Sequence, residues 1–422
     1  MTSETRFFVF AYLGGRPRAV PAADISLVEE KARVVSCSLG YGKRYLARPE
    51  AIAIDPLLLP VSGAQSGDRH KYEPPPGQPL FGAIRDAAPE GWARRVIESR
   101  SRAKPGSLPE SVYLLGAGSN RFGALDLRPE VESEEAPGRI VAAAELRQIL
   151  DGAERIERGE PVPTSMEAIF EASTAMGGAR PKALVARNGR QYLAKFGAAG
   201  DAFDVPAIER ATLEMARACG ISVPSTDLLR LADGRSILLS ERFDRRSLSM
   251  TYGRIPAVSA RTLLGDPDPD STGASYAAIS LALSRFGASG GVVEDRNELF
   301  ARMVFNILVG NDGDHLANHS FLWDAQAKGW RLAPLYDVVP NPALGSERYQ
   351  ALGVGPQGRL ASLENALVAA PQFGLHRGKA RPIIERVWTV VREWRTVFQQ
   401  WGVSAAECEK VAPAFLAVSA LP

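Results

Sequence analysis

The sequence predicts an α+β chain of two lobes, β-rich in its N-terminal half and helical in its C-terminal half. Three observations carry this expectation. Short β-branched and aromatic runs, punctuated by glycine turns, recur up to about residue 244. From about residue 275 apolar residues fall at helical spacing. The hairpin signal of that second half sits among acids, amides and histidines, in FNILVGNDGDHLANHSFLWDAQAKGWRLAPLYDVVPNP (305–342).

The bulk numbers set the class. At 422 residues the chain exceeds one small core, so two or three lobes are expected. Hydrophobic content of 45% and charged content of 23% are those of a globular protein. Fifty basic and 48 acidic residues give a net charge of +2, which argues against a broad nucleic-acid footprint. The three cysteines, Cys37, Cys219 and Cys408, have no metal-ligand spacing and fit a reducing compartment. MTSETRFFVFAYLGG lacks the basic start and long apolar core of a signal peptide, and no apolar run is long enough to span a membrane. A cytoplasmic protein without a membrane partner is expected.

In chain order, Arg6–Leu13 and Ala32–Leu39 read as strands, with GGRP and GYGK as turns. Residues 63–79 form a polar loop whose triple proline at 74–76 excludes helix. FGAIRDAAPEGWARRVIESR is an amphipathic helix interrupted near Pro89, and Tyr113–Asp126 is a glycine-rich loop. Gly116, Gly118 and Gly123 lack the spacing of a dinucleotide fingerprint, and no helix opens after them. PEVESEEAPG (129–138) is an acidic linker and the first boundary, followed by a helix over 142–158. The expected division is a β-rich region 1–130, a nucleotide-binding lobe 139–250 and a helical lobe 251–422.

ASTAMGGARPKALVARNGRQYLAKF (172–196) joins a glycine turn at Gly177 and Gly178 to a hairpin. Its strands are Ala183–Ala186 and Gln191–Phe196, turning through Asn188-Gly189. A glycine turn admits phosphate oxygens to backbone N–H groups, and a strand-borne lysine, Lys195, adds a point charge. A helix follows with Asp204 as N-cap, Pro206 in the first turn and Gly220 at its end. Glu209 lies on its apolar face, paired with a cation such as Lys195 or set at the edge of a solvated face. A second hairpin, Leu228–Leu231 and Ser236–Phe243, runs into Glu241-Arg242-Phe243-Asp244.

The polar loop after Gly310 holds Asp312, Asp314, His315, Asn318 and His319, and the hairpin after it leads to Tyr336-Asp337. Carboxylate, amide and second carboxylate are what phosphoryl transfer needs: one acid orients the attacking hydroxyl, while an Asn and an Asp hold magnesium. Toward the C-terminus, Ile384, Val387, Val391, Trp394 and Phe398 form a core stripe, and Gly402 and Pro413 divide the last helices. Together these features suggest a two-lobed, kinase-like architecture with its site in the cleft.

These segments, FGAIRDAAPEGWARR, YLLGAGSNRFGALD, GGARPKALV, YLAKF, ERFDR, GNDGDHLANHSFLW and PLYDVVPNP, together resemble the HipA family of serine/threonine kinases. These are toxin components of type II toxin–antitoxin pairs, usually partnered with a helix-turn-helix antitoxin. The resemblance implies a HipA-like fold and use of ATP and magnesium. Lys195 looks like the phosphate-binding strand lysine, next to Gly177, Gly178 and Lys182 of the glycine-rich segment. Glu209 sits where an acidic helix residue is expected. Glu241 and Phe243 are similar to the adenine-contacting segment, Asn318 and Asp337 to the magnesium ligands, and His315 to the catalytic-loop histidine. Two departures stand out. The catalytic Asp position of NTDDHxxN is Gly313 here, with Asp312 and Asp314 on either side as candidate substitutes. The serine that some members autophosphorylate aligns with Ala175, near Ser173 and Thr174.

Three functions follow as expectations. The first is a kinase acting on serine or threonine of a cellular protein such as an aminoacyl-tRNA synthetase, thereby arresting growth. The second is a catalytically weakened protein that binds nucleotide and an antitoxin partner in transcriptional autoregulation, reaching DNA only through that partner. The third is small-molecule phosphotransfer or metal-dependent hydrolysis at Asp312, Asp314, His315 and His319.

Overall fold

The computed structural model describes residues 2–14, 16–61, 70–136, 140–142, 145–163, 166, 173–175, 177–198, 200–247, 252–265, 274–343, 345 and 347–417. The chain divides into two compact units, Met1–Ala199 with Glu241–Val258, and Gly200–Ser240 with Ser259–Pro422. The first takes in the expected β-rich region and the 182–196 hairpin. The second takes in the helix that follows and the helical C-terminal part.

The first unit is founded on an antiparallel sheet of β1 (Thr2–Tyr12), β2 (Ala19–Glu30), β3 (Arg33–Tyr41), β4 (Lys71–Tyr72) and β5 (Leu125–Arg128), in the order β4-β3-β2-β1-β5. Side-chain alternation puts Phe7, Val9, Ile25, Leu27 and Leu39 on the fully buried face. The sequence reading omits β2, because Pro17, Pro21 and three acids mask its alternation. Pro21 is accommodated where the register slips between Val9 and Phe10, and Glu29 is buried with its carboxylate bonded by the N–H (3.1 Å) and hydroxyl (2.5 Å) of Ser111. The interrupted helix is two helices, Gly82–Asp86 and Trp92–Arg100. Tyr113–Asp126 is not all loop: it begins inside the helix Glu110–Gly116 and ends in β5. Nor is the acidic stretch a free linker as far as it is described. Ala136 exchanges bonds with Ser119, and Glu135 pairs with Arg254 at 2.7 Å. Residues 137–138, 143–144 and 63–69 of the expected linker, helix and polar loop lie outside the described residues.

Glu241–Val258 returns to this unit because ERFDR docks onto SNRFG. Asp244 accepts the Gly123 N–H (2.7 Å) and pairs with Arg242 (2.7 Å) and Arg245 (2.9 Å). The two guanidinium groups also bond the carbonyls of Asn120, Arg121 and Gly123 at 2.7–3.1 Å. Burial alone would raise the Asp244 pKa, but the two arginines hold it far below the usual carboxylate range. Gly123 disfavours a side chain twice over: its φ is +70°, and a Cβ would press on the Ala257 backbone at 3.0 Å. Gly123 therefore serves packing.

In the second unit, Asp204 caps the helix Val205–Ala218 through the Ala207 N–H (3.2 Å), and Gly220 follows at φ +77°. The strands Thr226–Arg230 and Ser236–Glu241 pair as expected. Helices Tyr276–Phe286, Val292–Val309, Leu363–Ala369, Arg377–Val391, Trp394–Gln400 and Ala405–Val411 supply the rest of the core. Gly310 ends the Val292–Val309 helix in the left-handed conformation. The expected C-terminal stripe, Ile384 to Phe398, is buried throughout.

Replacing Asp244 by Ala strands two buried guanidinium groups, a change that costs about 3–5 kcal/mol. The urea midpoint of the first unit is expected to fall accordingly, and an unchanged midpoint would contradict the role given to this network.

Candidate functional site

In the first unit, strands Lys182–Arg187 and Arg190–Phe196 turn through Asn188 (φ +50°) and Gly189 (φ +70°), the conformation that Asn-Gly favours. The register sets Lys182 opposite Lys195, so both side chains leave the same face. Lys182 is 7% exposed and donates to the Gly177 carbonyl at 2.6 Å; Lys195 is half-buried. Gly178 favours glycine because its φ of +100° strains any side chain, and a Cβ there would also displace the Lys182 ammonium, 2.1 Å away. Its carbonyl accepts the Trp92 N–H (2.9 Å), while Arg95 donates to the Ala179 carbonyl (2.5 Å). The exposed glycine turn is thus pinned beside two lysines, a local setting suited to phosphate oxygens.

Ser173, Thr174 and Ala175 are all buried, at 0%, 2% and 4% exposure, so neither hydroxyl next to the Ala175 position is presented to solvent. Glu241 is engaged by Arg190, whose Nη1 lies 3.0 and 2.9 Å from the two carboxylate oxygens. Phe243 is half-buried, edge-on to Phe122 at 6.4 Å between centroids.

In the second unit Glu209 is 4% exposed, which removes the alternative of a solvated edge. The loop after Gly310 separates the two acids that the sequence leaves equivalent. Asp314 is 1% exposed: its Oδ2 receives the Tyr276 hydroxyl (2.5 Å), the Asn306 amide (2.8 Å) and a bond with His319 Nε2 (2.9 Å). Asn311 extends the network by donating to Asn306 Oδ1 (3.0 Å). Burial works to raise the Asp314 pKa, but attraction and a hydrogen bond from His319, the bond from Tyr276 and the nearby His315 hold it below the usual range. Burial, and then the Asp314 carboxylate beside it, push the Tyr276 hydroxyl well up. Asp314, expected as a possible base, is enclosed and cannot meet a substrate hydroxyl; it anchors the loop. His315 is half-buried, and its carbonyl accepts the Asn318 N–H in the short helix Leu316–Asn318. Among the described residues no three His, Cys, Asp or Glu side chains form a metal cluster, so the four-residue set of the hydrolytic expectation does not assemble.

Asp312 is half-buried and differently held. Its Oδ2 accepts the Asn341 amide (2.9 Å), its carbonyl accepts the Ala351 N–H (2.9 Å), and the Asn341 N–H bonds the Gly310 carbonyl (2.9 Å). Asn318 turns its amide NH₂ toward the Gly313 carbonyl (3.5 Å), which makes Oδ1 its other end. Tyr336 links the two ligand candidates: its hydroxyl donates to the Ala317 carbonyl (2.7 Å) and meets Ser320 Oγ (2.5 Å). The residue before Asp337 is therefore tied to the residue before Asn318. Asp337 is exposed, at φ +60°, a conformation uncommon for residues other than glycine. An amide oxygen and a carboxylate are hard donors of the kind magnesium uses alongside phosphate oxygens, and the set fits that ion. Sequence reasoning missed Tyr276, Asn306 and Asn341. Asn341 alone carried a local signal, lying in PLYDVVPNP.

Residues 174–394, just over half the chain, match the HipA-like C-terminal domain family. A curated relative from Sinorhizobium fredii, named "Putative kinase Y4mE", is 27% identical over 365 residues, covering 82% of this chain and 83% of its own. Among solved structures, a chain of the Shewanella oneidensis MR-1 toxin–antitoxin complex of HipA, HipB and operator DNA aligns with a TM-score of 0.66 and 17% identity. That alignment covers 96% of this chain and 94% of the other. At this identity the likeness is one of fold, and it bears out the expected α+β, HipA-like class.

Since its folded-state pKa is depressed, Asp314 stabilises the second unit fully above about pH 4, the unfolded value, and this stabilisation is lost as pH falls through the folded value. Asp314→Asn is expected to lower stability by about 1–3 kcal/mol at pH 7, with the gap to wild type closing below pH 4. Unfolding measured from pH 7 to pH 3 checks this, and a gap that widens toward acid would contradict it.

Proposed function

Because this chain belongs to the HipA-like C-terminal domain family, we propose that it is an ATP- and magnesium-dependent kinase transferring the γ-phosphoryl group to serine or threonine of a protein. The observation that carries the reading is the Tyr336 link, which ties the segments bearing Asn318 and Asp337 together within one unit. When bound there, magnesium offsets the charge that develops on the transferring phosphoryl group. Asn318 and Asp337 hold it. In the first unit the glycine turn at Gly177 and Gly178, with Lys182 and Lys195, receives phosphate oxygens. Glu241 and Phe243 serve the adenine. In the second unit Glu209 serves as the acidic helix residue that the family resemblance implies.

The family resemblance also supports a translation component, such as an aminoacyl-tRNA synthetase, as protein target, and a helix-turn-helix antitoxin as partner. DNA is then reached only through that partner. A cytoplasmic location accords with the absence of any described helix long and apolar enough to cross a membrane.

One feature favours a second reading. Gly313 leaves the position five residues before Asn318 without a carboxylate. On that reading the protein binds nucleotide and an antitoxin partner, and acts in transcriptional autoregulation with little or no transfer.

Titration calorimetry with ATP, with and without magnesium, tests nucleotide binding directly. Wild type is expected to bind in a magnesium-dependent way. Asp337→Ala should abolish most of that dependence, and Lys195→Ala should weaken binding about 10-fold or more, the loss of one charge-assisted contact. Absence of nucleotide binding at any magnesium concentration would overturn both readings.

A further inference from the structure

We propose that Asp312 is the carboxylate that receives the proton of the acceptor hydroxyl, with Asn341 as its positioning residue. This deepens the kinase reading and rests on it. In kinase catalytic loops the base stands five residues before the metal-binding Asn. Counting back from Asn318 gives Gly313, so the carboxylate has to come from elsewhere in the loop.

The structure distinguishes the two neighbours. Asp314 is enclosed, its Oδ2 shared among Tyr276, Asn306 and His319. Asp312 lies at the partly exposed turn, where the adjacent Gly313 is exposed and an added Cβ would meet no atom within 4 Å. A peptide hydroxyl therefore has room beside Asp312. The carboxylate is also fixed, with the Asn341 amide on Oδ2 and the Ala351 N–H on its own carbonyl. Asn341 is in turn tied to Gly310, at the helix end that starts the loop. A neutral amide donor orients a carboxylate without supplying a competing charge. Asn318 reaches the Gly313 carbonyl, so the metal-ligand candidate stands beside the same turn.

In the step assigned here, the hydroxyl oxygen bonds the γ-phosphorus of the nucleoside triphosphate and its proton passes to Asp312. The bond from the γ-phosphorus to the β–γ bridging oxygen breaks, and its electron pair leaves with the nucleoside diphosphate.

The test uses the full chain, magnesium–ATP and a degenerate serine/threonine peptide library. It compares wild type, Asp312→Asn, Asn341→Ala and the double variant Asp312→Asn/Gly313→Asp. Nucleotide Kd and the thermal midpoint are measured beside kcat and KM. Asp312→Asn should lower kcat by about 100-fold or more with Kd and midpoint unchanged. Asn341→Ala should lower kcat by about 10-fold to 100-fold at constant KM for ATP. The double variant should recover most of the lost kcat, because Gly313 is open and its φ lies outside the left-handed region. A merely structural Asp312 would lower the thermal midpoint or nucleotide affinity along with kcat. Wild-type kcat in Asp312→Asn, or in Asn341→Ala, overturns the assignment and leaves the kinase reading standing. A wild type that binds magnesium–ATP yet transfers nothing overturns the assignment and favours the nucleotide-binding reading. No nucleotide binding overturns all three.

Discussion

A carboxylate buried in a helical unit needs donors to hold it, and Asp314 gathers three of them on one oxygen. Its Oδ2 draws together Tyr276 from one helix, Asn306 from another, and His319 from the entry to a hairpin. Stripping any one of them leaves polar atoms unsatisfied in a region closed to water. The convergence fixes the loop between Gly310 and Ser320 at its middle. Asp312 and Asn318, on either side, inherit defined positions from this enclosed residue. A separate set of bonds refines each: Asn341 for Asp312, and the Gly313 carbonyl for Asn318.

The first unit solves the corresponding problem with glycine and lysine. Its glycine turn is held by its own carbonyls, with Lys182 on Gly177 and the Trp92 N–H on Gly178. Backbone N–H groups held in this way need little reordering when an anion arrives, the condition under which a phosphate site is effective. The cross-strand pairing of Lys182 with Lys195 concentrates positive charge on one face of the hairpin. In the same unit a buried pair of arginines around Asp244 fastens the returning segment, so that Glu241 and Phe243 flank a rigid element.

What was legible in the sequence was local. Asn188-Gly189, the Asp204 cap and Gly310 each state their conformation within a few residues, and each hairpin or helix end is found close to where it is expected. β2 was not legible, since Pro21 and its acids break the apolar alternation while pairing on both edges sustains the strand. The roles of Asp312 and Asp314 were not legible either. Which acid is enclosed depends on Tyr276, 38 residues upstream of Asp314, and which is positioned depends on Asn341, 29 residues downstream of Asp312. No periodicity encodes such pairings. The hydrolytic expectation failed for the same reason, because adjacency in sequence between Asp314 and His319 becomes an internal pair rather than an open ligand set.

The destination of the γ-phosphoryl group separates transfer to protein from nucleotide binding alone. Incubating the full chain with γ-labelled ATP, magnesium and an extract of soluble proteins, then separating phosphoprotein from inorganic phosphate, reads this in one experiment. Label on serine or threonine of a protein, lost in Asp337→Ala, is the predicted result. Label appearing only as inorganic phosphate, or remaining wholly in ATP, would contradict it.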